Sequence, residues 1–437
     1  MMTDPFTTGL LGLLAMFALI LLQVPVGIAM GIVGVVGCGL IIGFGPSLTL
    51  LATEPSSSMA SESLAVVAMF LLMGNLAHVG GLSRELYRVA HVYLGHKRGG
   101  LIFATIGACA GFGAICGSSV ATAATMARIS LPEMLERGYA KSLAAGSIAA
   151  GGTLGMIVPP SVVMILYAIL TENSIIALFL AAIVPGILAV LVYFVAVYFA
   201  VRANPDAAPV GPKASWAERR KVTGQSWAVV LLAVVVSGGI YTGIFTVSEA
   251  ASVGATVALL LGLFRRRLTV KKFLSALGDT AANTGMIFVM IIGASVFSYF
   301  ATLSGLPMAT VDWIQGLGLP PLLVLCMLML FYLVLGAIFD TIAAMVLTLP
   351  FVYPLIIGMG YDPVWWGVVN IVVIELGMIT PPIGINVFVL HGMARDLPLS
   401  TIFRGVVPFL IADVVRLVIL ILFPPLSLWL PGVLGWL

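Results

Sequence analysis

The chain has 437 residues, of which 61% are hydrophobic and 8% are charged, and its formal net charge is +3. Soluble domains carry about 25% charged residues, so this composition excludes a soluble protein and indicates a polytopic membrane protein. The net charge is too small to suggest a nucleic-acid partner.

Long apolar runs predict ten membrane-spanning helices. The first run follows Asp4 and lacks the basic region and cleavage site of a secretory signal, so we expect a retained helix. Two longer segments, at about 99–140 and 321–361, have small and hydroxyl residues in their middle and are predicted to be helical hairpins. The predicted spans are 6–24, 27–46, 64–80, 143–171, 175–201, 226–242, 248–264, 282–303, 363–392 and 402–424.

Two further segments have the apolar and charged faces of a helix at the membrane surface, residues 82–97 and 271–277. An ordinary helix in a loop is the alternative. The segments 47–62 and 304–320 contain no basic residue and are predicted to be loops.

The basic residues indicate the membrane topology, because cytoplasmic loops carry the excess of Lys and Arg. If both hairpins are re-entrant, a single topology places every basic cluster in the cytoplasm and both termini outside it. The first hairpin then enters the membrane from the cytoplasm, and the second enters from the opposite side. The clusters lie at 84–98, 128–141, 202–221, 265–272 and 395–404.

One motif occurs twice. Residues 154–160 read Leu-Gly-Met-Ile-Val-Pro-Pro, and residues 376–382 read Leu-Gly-Met-Ile-Thr-Pro-Pro, at an offset of 222 residues. Proline removes a backbone donor and pushes the preceding residue out of the helical region, so each copy predicts a broken helix. Broken helices at matching positions of two halves point to the binding site of a transporter.

Shorter matches at offsets of 222 to 224 residues extend the repeat, and they predict how the chain is divided. The first repeat is residues 1–201, a cytoplasmic linker is 202–225, and the second repeat is 226–437. Five spans in each repeat is an odd number, so the second repeat is inserted upside down. The predicted fold class is an all-α polytopic membrane protein with two inverted-topology repeats. Each repeat has five spanning helices, one of them broken, and one re-entrant helical hairpin.

The tip of the first hairpin is rich in glycine, and hydroxyls follow it at near-helical spacing on Ser118, Thr122 and Thr125. Hydroxyls and free carbonyls are ligands for Na⁺, and a helix N-terminus favours an anion. The alternative is packing of small residues, with each hydroxyl bonded to its own helix.

The second hairpin carries Asp340 in mid-membrane, where a carboxylate is costly and indicates function. Ion coordination and capping of the returning helix are both open for this residue. Glu375, next to the second double-proline motif, is another candidate, unless it bonds neighbouring backbone. Asp413 and Arg416 have the spacing of a local ion pair. No Arg or Lys falls at a predicted tip or break, so co-bound cations are expected to attract an anionic substrate.

Several of these strings resemble the large membrane subunit of tripartite ATP-independent periplasmic (TRAP) transporters. They are residues 380–386 (Thr-Pro-Pro-Ile-Gly-Ile-Asn), 336–340, 117–119 and 156–160. The resemblance covers essentially the whole chain.

The resemblance implies a sodium-driven, elevator-type importer of organic acids in the bacterial inner membrane, with both termini of the chain periplasmic by the charge pattern. It implies three partners: a periplasmic binding protein, a small four-helix membrane subunit and the organic acid. Because the chain opens on its first span, the small subunit is expected to be a separate polypeptide.

Family sodium ligands, largely backbone carbonyls, are implied at both hairpins and both breaks. By position these are Gly117, Ser119, Gly155, Val158, Pro160, Asp340, Thr341, Gly377, Thr380 and Pro382. Substrate contacts are predicted at Ser118, Ser119, Thr122, Thr380 and Asn386.

The competing functions are a standalone sodium–dicarboxylate carrier, which would need no binding protein, and an ion channel. A channel needs a continuous polar pore, and paired inverted breaks argue against one. No histidine lies close to Ser118 in the predicted topology, and the chain has no Gly-x-x-x-x-Gly-Lys loop. A transporter, and not an enzyme, is therefore predicted.

Overall fold

A computed structural model describes residues 4–436 of the chain. The first half folds into α-helices joined by short turns. They are α1 (Pro5–Leu21), α2 (Val26–Ile42), α3 (Phe44–Ala60), α4 (Glu62–Val79), α5 (Leu82–Leu94), α6 (Gly100–Cys116), α7 (Ser119–Glu136), α8 (Lys141–Ile157), α9 (Val162–Leu170) and α10 (Ile175–Ala203).

A 3₁₀ turn (Pro205–Ala207) and α11 (Trp216–Gln225) connect the halves. The second half begins with α12 (Trp227–Ala233), which continues through a π-helical turn (Val234–Gly238) into α13 (Gly239–Tyr241). The remaining helices are α14 (Val247–Phe264), α15 (Val270–Ser304), α16 (Leu306–Gly316), α17 (Pro321–Ile338), α18 (Thr341–Gly358), α19 (Pro363–Gly377), α20 (Ile385–Met393), α21 (Leu399–Leu422) and α22 (Pro425–Val433).

Within the described residues, 7 helices are long and apolar enough to cross a membrane, or up to 9 if each of two bent pairs counts as one span. Shorter apolar helices such as α6 and α19 complete the hairpins and broken helices. The prediction of an all-α, multi-pass membrane protein is confirmed.

Both predicted hairpins form. Helices α6 and α7 meet at Gly117, whose φ of 62° lies in the left-handed region that glycine adopts without strain. Helices α17 and α18 meet at Phe339 and Asp340. The hairpins occupy equivalent places in the two halves, each followed directly by a broken helix.

Both double-proline motifs interrupt a helix, as predicted. Helix α8 ends at Ile157, and α9 leaves at an angle of 42° from Val162. Helix α19 ends at Gly377, and α20 begins only at Ile385. At each break the regular hydrogen bonding of the helix stops, which frees backbone carbonyls from the helical pattern and is the local condition for ion binding.

The repeat also extends to the surface helices. Gly81 precedes the amphipathic helix α5 with a φ of 80°, and the matching Gly305 precedes α16 with a φ of 68°. Leu82 is buried and Arg84 is exposed. Glu85 is buried, however, and Tyr93 is exposed, so the apolar and charged faces of α5 are separated only in part.

The secondary structure differs from the sequence predictions at four places. The predicted loops 47–62 and 304–320 contain α3 and α16, because polar residues lower the hydropathy of a segment without preventing a helix. Helix α3 contains Pro55 in its interior, whereas Pro307 lies at the start of α16, where proline is well tolerated. The segment 271–277 is the beginning of the 35-residue helix α15, which no proline interrupts. The terminal helix α22 lies beyond the last predicted span.

Candidate functional site

The tip of the first hairpin lies directly on the first helix break. Gly113 of α6 and Gly155 of α8 are in backbone contact: a Cβ added to Gly113 would lie 2.4 Å from the Gly155 Cα. A Cβ added to Gly155 would lie 2.7 Å from the Thr122 hydroxyl oxygen and 2.8 Å from the Ser118 carbonyl oxygen. Small residues therefore allow the oxygens of the tip to reach the break.

The other predicted residues of the first half lie around this contact. Ser118 caps α7, and its hydroxyl accepts a hydrogen bond from the Ala121 amide at 3.4 Å. A Cβ added to Gly117 would lie 3.3 Å from the Pro160 carbonyl oxygen, so Pro160 also faces the tip. Val158 ends α8 in an extended conformation and is half-buried.

The second half repeats the arrangement with different side chains. Gly377 packs on Gly336, and a Cβ added to Gly377 would lie 2.7 Å from the Gly336 Cα. Asp340 caps α18 by accepting a hydrogen bond from the Ala343 amide at 2.8 Å. Thr341 donates a hydrogen bond to Glu375 Oε1 at 2.8 Å and lies 2.9 Å from the Met378 sulfur.

The second break is an irregular segment that folds back on the second hairpin. The Gly384 amide donates to the Ala337 carbonyl at 3.1 Å, and the Asn386 amide donates to the Met378 carbonyl at 3.1 Å. The Thr380 hydroxyl donates to the Leu376 carbonyl in the last turn of α19 at 2.7 Å. Pro382 is exposed.

A hydrogen bond between the two halves of the chain connects the first hairpin tip with the segment that follows the second break. Asn386 of α20 donates its side-chain amide to the Ser119 hydroxyl at 2.8 Å and to the Ala149 carbonyl at 3.2 Å. Ser119 also lies beside Glu375. We call Ser119, Thr341, Glu375 and Asn386 the central cluster. All four residues are at most 1% exposed.

Several oxygens in and around the central cluster have no hydrogen-bond partner within residues 4–436. They are Glu375 Oε2, Asn386 Oδ1, Thr122 Oγ1 and Ser161 Oγ. Such atoms are costly in a membrane interior unless a ligand or ion satisfies them. In the described part of the chain no three His, Cys, Asp or Glu residues come together as a metal group. Hydroxyl, amide and carbonyl oxygens with one carboxylate are hard donors, which suit hard cations better than the soft metals that thiolate ligands select.

Asp413 and Arg416 form a buried ion pair that lies within electrostatic range of Glu375 of the central cluster. Arg416 contacts Asp413 at 2.9 Å, and Tyr193 donates to the same carboxylate at 2.6 Å. Tyr193 in turn bonds Thr153 of α8 at 3.0 Å. The local ion pair predicted from the sequence therefore forms, and it joins α8, α10 and α21.

The sequence located most of the polar groups but not how they connect. It treated Glu375 as a secondary candidate, whereas the structure places this residue among the tips of both halves. It also did not predict that Gly113 and Gly336 pack on the backbone of the helix breaks. The match of these two glycines between the repeats, at an offset of 223 residues, was the sequence signal for that contact.

Residues 13–426 match the family model described as "Tripartite ATP-independent periplasmic transporter, DctM component". The chain is 34% identical over 405 residues to the C4-dicarboxylate TRAP transporter large permease protein DctM of Pseudomonas aeruginosa, covering 90% of this chain and 94% of that protein. It is 31% identical over 385 residues to the sialic acid TRAP transporter large permease protein SiaM of Vibrio cholerae, with 88% and 90% covered.

A third relative is the ectoine/5-hydroxyectoine TRAP transporter large permease protein UehC of Ruegeria pomeroyi, 30% identical over 421 residues with 95% and 97% covered. Among solved structures, the YdaH transporter of Alcanivorax borkumensis is similar, with a TM-score of 0.61 over 90% of each chain and 17% sequence identity. That likeness concerns the fold alone.

Proposed function

Because the chain belongs to the DctM-component family of TRAP transporters, we propose that it is a large permease that couples Na⁺ entry to the import of a small organic acid. Members of this family are transporter permeases and not enzymes. The single observation that carries the proposal is the buried central cluster, in which oxygens of both halves meet.

Charge supports the coupling to a cation. The central cluster contains the Glu375 carboxylate and no Arg or Lys, and Arg416 is already paired with Asp413. An anionic cargo near this cluster would be repelled unless cations bind with it. Bound Na⁺ therefore supplies the positive charge that the protein lacks there.

We assign one Na⁺ site to each half, where a hairpin tip meets a break. The ligands would be Gly117, Ser119, Gly155, Val158 and Pro160 in the first half, and Asp340, Thr341, Gly377, Thr380 and Pro382 in the second. The contacts of the glycines, Thr341 and Pro160 support these sets, because each tip touches the break of its own half. Thr380 and Pro382 are included by their position in the second break. Asn386 links the sets through Ser119.

The carboxylate would bind between the two cations, with Ser118, Ser119, Thr122, Thr380 and Asn386 as its contacts. The N-termini of α7 and α18 lie at the two tips, and helix N-termini favour anions. The names of the three relatives give three different cargoes, so membership of the family does not select one acid.

As part of a tripartite system the chain would act with a small membrane subunit and a periplasmic binding protein. The distribution of basic clusters favours a topology in the inner membrane in which the linker would be cytoplasmic and both termini would be periplasmic. The hairpins and broken helices would then move as one unit against the remaining helices, as in an elevator.

The test is uptake into liposomes that contain the permease with or without its two partners. Radiolabelled succinate and sialic acid are the probes, each with a sodium gradient or with potassium in its place. We expect uptake only with all three components and sodium. Full uptake by this chain alone would indicate a standalone carrier. A flux that needs no sodium, and whose rate does not saturate as the concentration of either probe is raised, would indicate a channel.

Ser119→Ala tests the site itself. We expect the sodium concentration for half-maximal uptake to rise about fivefold, because one buried hydrogen bond to Asn386 is worth about 1 kcal/mol. Ser130→Ala is the control, since that hydroxyl donates only to the Met126 carbonyl of the same helix, at 2.8 Å. Equal sodium dependence in the two variants would contradict the assignment of Ser119.

A further inference from the structure

A second cavity lies beside the first hairpin, away from the central cluster. It has a volume of about 500 Å³. It opens between the junction of α4 with α5, the N-terminal end of α15 and the middle of α7. Five basic residues line it: Arg84, Arg88, Arg128, Arg267 and Lys272. We call this cavity the basic vestibule. Its inner wall includes Thr125, whose hydroxyl lies 3.1 Å from His78 Nδ1.

Most of the positive charge in the basic vestibule is not neutralised by the protein. The only carboxylate in its lining is Glu85, which is shared by Arg265, at 2.8 Å, and Arg267. Within the part of the chain that the structure describes, Arg84, Arg88 and Arg128 form no ion pair. Cations that line a concave surface with low-dielectric walls concentrate the field and attract anions.

The basic vestibule lies on the helix that also carries the proposed site. Ser119 is at the beginning of α7, and Arg128 follows nine residues later, which is a distance of about 14 Å along the helix. The vestibule is therefore a separate place from the central cluster, on the side of the basic loops.

The repeat provides an internal comparison. A cavity of about 520 Å³ lies beside α18 of the second hairpin, against α15. Its lining has one charged residue, Glu54, and no Arg or Lys. The excess of basic residues in cytoplasmic loops explains charge on that side of the membrane, but it does not require the charge to converge on a cavity.

We infer that the basic vestibule is a second anion site, in which Arg84, Arg88 and Arg128 hold the carboxylate cargo between the central cluster and the cytoplasm. Guanidinium groups suit this role because they bind carboxylates through paired hydrogen bonds. The inference rests on the proposed function for the nature of the cargo. An anionic lipid headgroup shares the chemistry, so the test separates the two sources.

The first experiment measures binding without transport. The assembled complex is placed in nanodiscs of phosphatidylcholine, and phenylglyoxal modification of each arginine is followed by mass spectrometry. We expect succinate to slow modification of Arg84, Arg88 and Arg128 at least about fivefold, the effect of roughly one carboxylate–guanidinium contact. Arg98 and Arg266, which are exposed but do not line the cavity, should react at the same rate with and without succinate.

Two results would overturn the inference. One is equal or absent protection at the lining and control arginines. The other is full protection by nanodiscs that contain phosphatidylglycerol, with no further effect of succinate, which would make the vestibule a lipid site. This experiment measures binding and does not depend on transport. A negative uptake assay, which would contradict the proposed function, is therefore a different result from the absence of protection at these arginines.

The second experiment compares Arg84→Gln/Arg128→Gln with Arg266→Gln/Lys271→Gln. Both double variants remove the same charge from the basic side of the protein, but only the first pair lines the vestibule. Binding protein is added outside the liposomes, so the lumen corresponds to the cytoplasmic side of every active complex. We expect the lumenal succinate concentration that half-inhibits uptake to rise about tenfold in the first variant and to stay at the wild-type value in the second. Identical behaviour of the two variants would refute a release site.

Discussion

The two helix breaks have the same sequence pattern but different surroundings. Residues 159–161 are buried, whereas the matching residues 381–383 are exposed. Ser161 is 0% exposed and its counterpart Ile383 is 37% exposed. The two repeats therefore share the interruption of the helix, but the residues at the interruption are exposed at the protein surface only in the second repeat. For two inverted halves, that inequality is what a transporter needs in order to open to one side at a time.

The polar side chains around the breaks have also diverged. Thr153 of the first broken helix bonds Tyr193, within the network of Asp413 and Arg416. Its counterpart Glu375 instead bonds Thr341 at a hairpin tip. Thr153 takes part in packing and Glu375 belongs to the central cluster, so we expect the two proposed Na⁺ sites to differ in affinity.

The largest effect is expected at the glycines that the halves share. Gly155→Ala and Gly377→Ala each place a methyl group within 3 Å of backbone atoms at a hairpin tip, and overpacking of this kind costs about 1–3 kcal/mol. We expect sodium-driven uptake to fall to background in both variants while the protein still inserts. Membrane expression and uptake are measured together.

Gly107→Ala is the matched control, because among residues 4–436 no atom beyond the adjoining turns of its own helix lies within 4 Å of the added Cβ. It should transport like the wild type. Normal uptake by Gly155→Ala with loss only in Gly377→Ala would show that the close contact of tip and break matters in one half alone.

A smaller effect is expected for access to the breaks. Ser161→Cys and Ile383→Cys are made with Cys326→Ser, which removes the exposed native cysteine and leaves the three buried ones. In the absence of cargo, a membrane-permeant maleimide should label Ile383→Cys at least about tenfold faster, because the reaction requires an accessible thiol. Labelling is followed by mass shift, in variants that retain uptake.

Sodium, binding protein and cargo together should reduce this difference, since the transporter then visits both orientations. Equal labelling before any addition would mean that the breaks do not differ in access in the resting protein. A ratio that no addition changes would argue against movement of the hairpins.

The sequence predicted those features that local chemistry determines. Glycines at the tips and double prolines in the helices act within a few residues, so the hairpins and both breaks were found. Helices α3 and α16 were missed because hydropathy does not separate a polar surface helix from a loop. The bond between Ser119 and Asn386 joins residues 267 positions apart, and only the packing of the two halves creates it.

The smallest effect distinguishes the two roles left open for Asp340. Asp340→Ser introduces the residue that the first hairpin has at the same position, Ser118, and it retains a capping oxygen without the carboxylate. Asp340→Ala removes both. If the carboxylate binds Na⁺, both variants should raise the sodium concentration for half-maximal uptake by about threefold to tenfold, equivalent to roughly 1 kcal/mol.

Loss of the cap alone should lower stability by about 1 kcal/mol, and only in the alanine variant. Ser118→Ala provides the reference for a lost cap in the first half, and thermal unfolding in detergent is the readout. If Asp340→Ser keeps the sodium dependence of the wild type, the carboxylate only caps α18. The two hairpin tips would then be equivalent in function, and the difference between the halves would reside in Glu375.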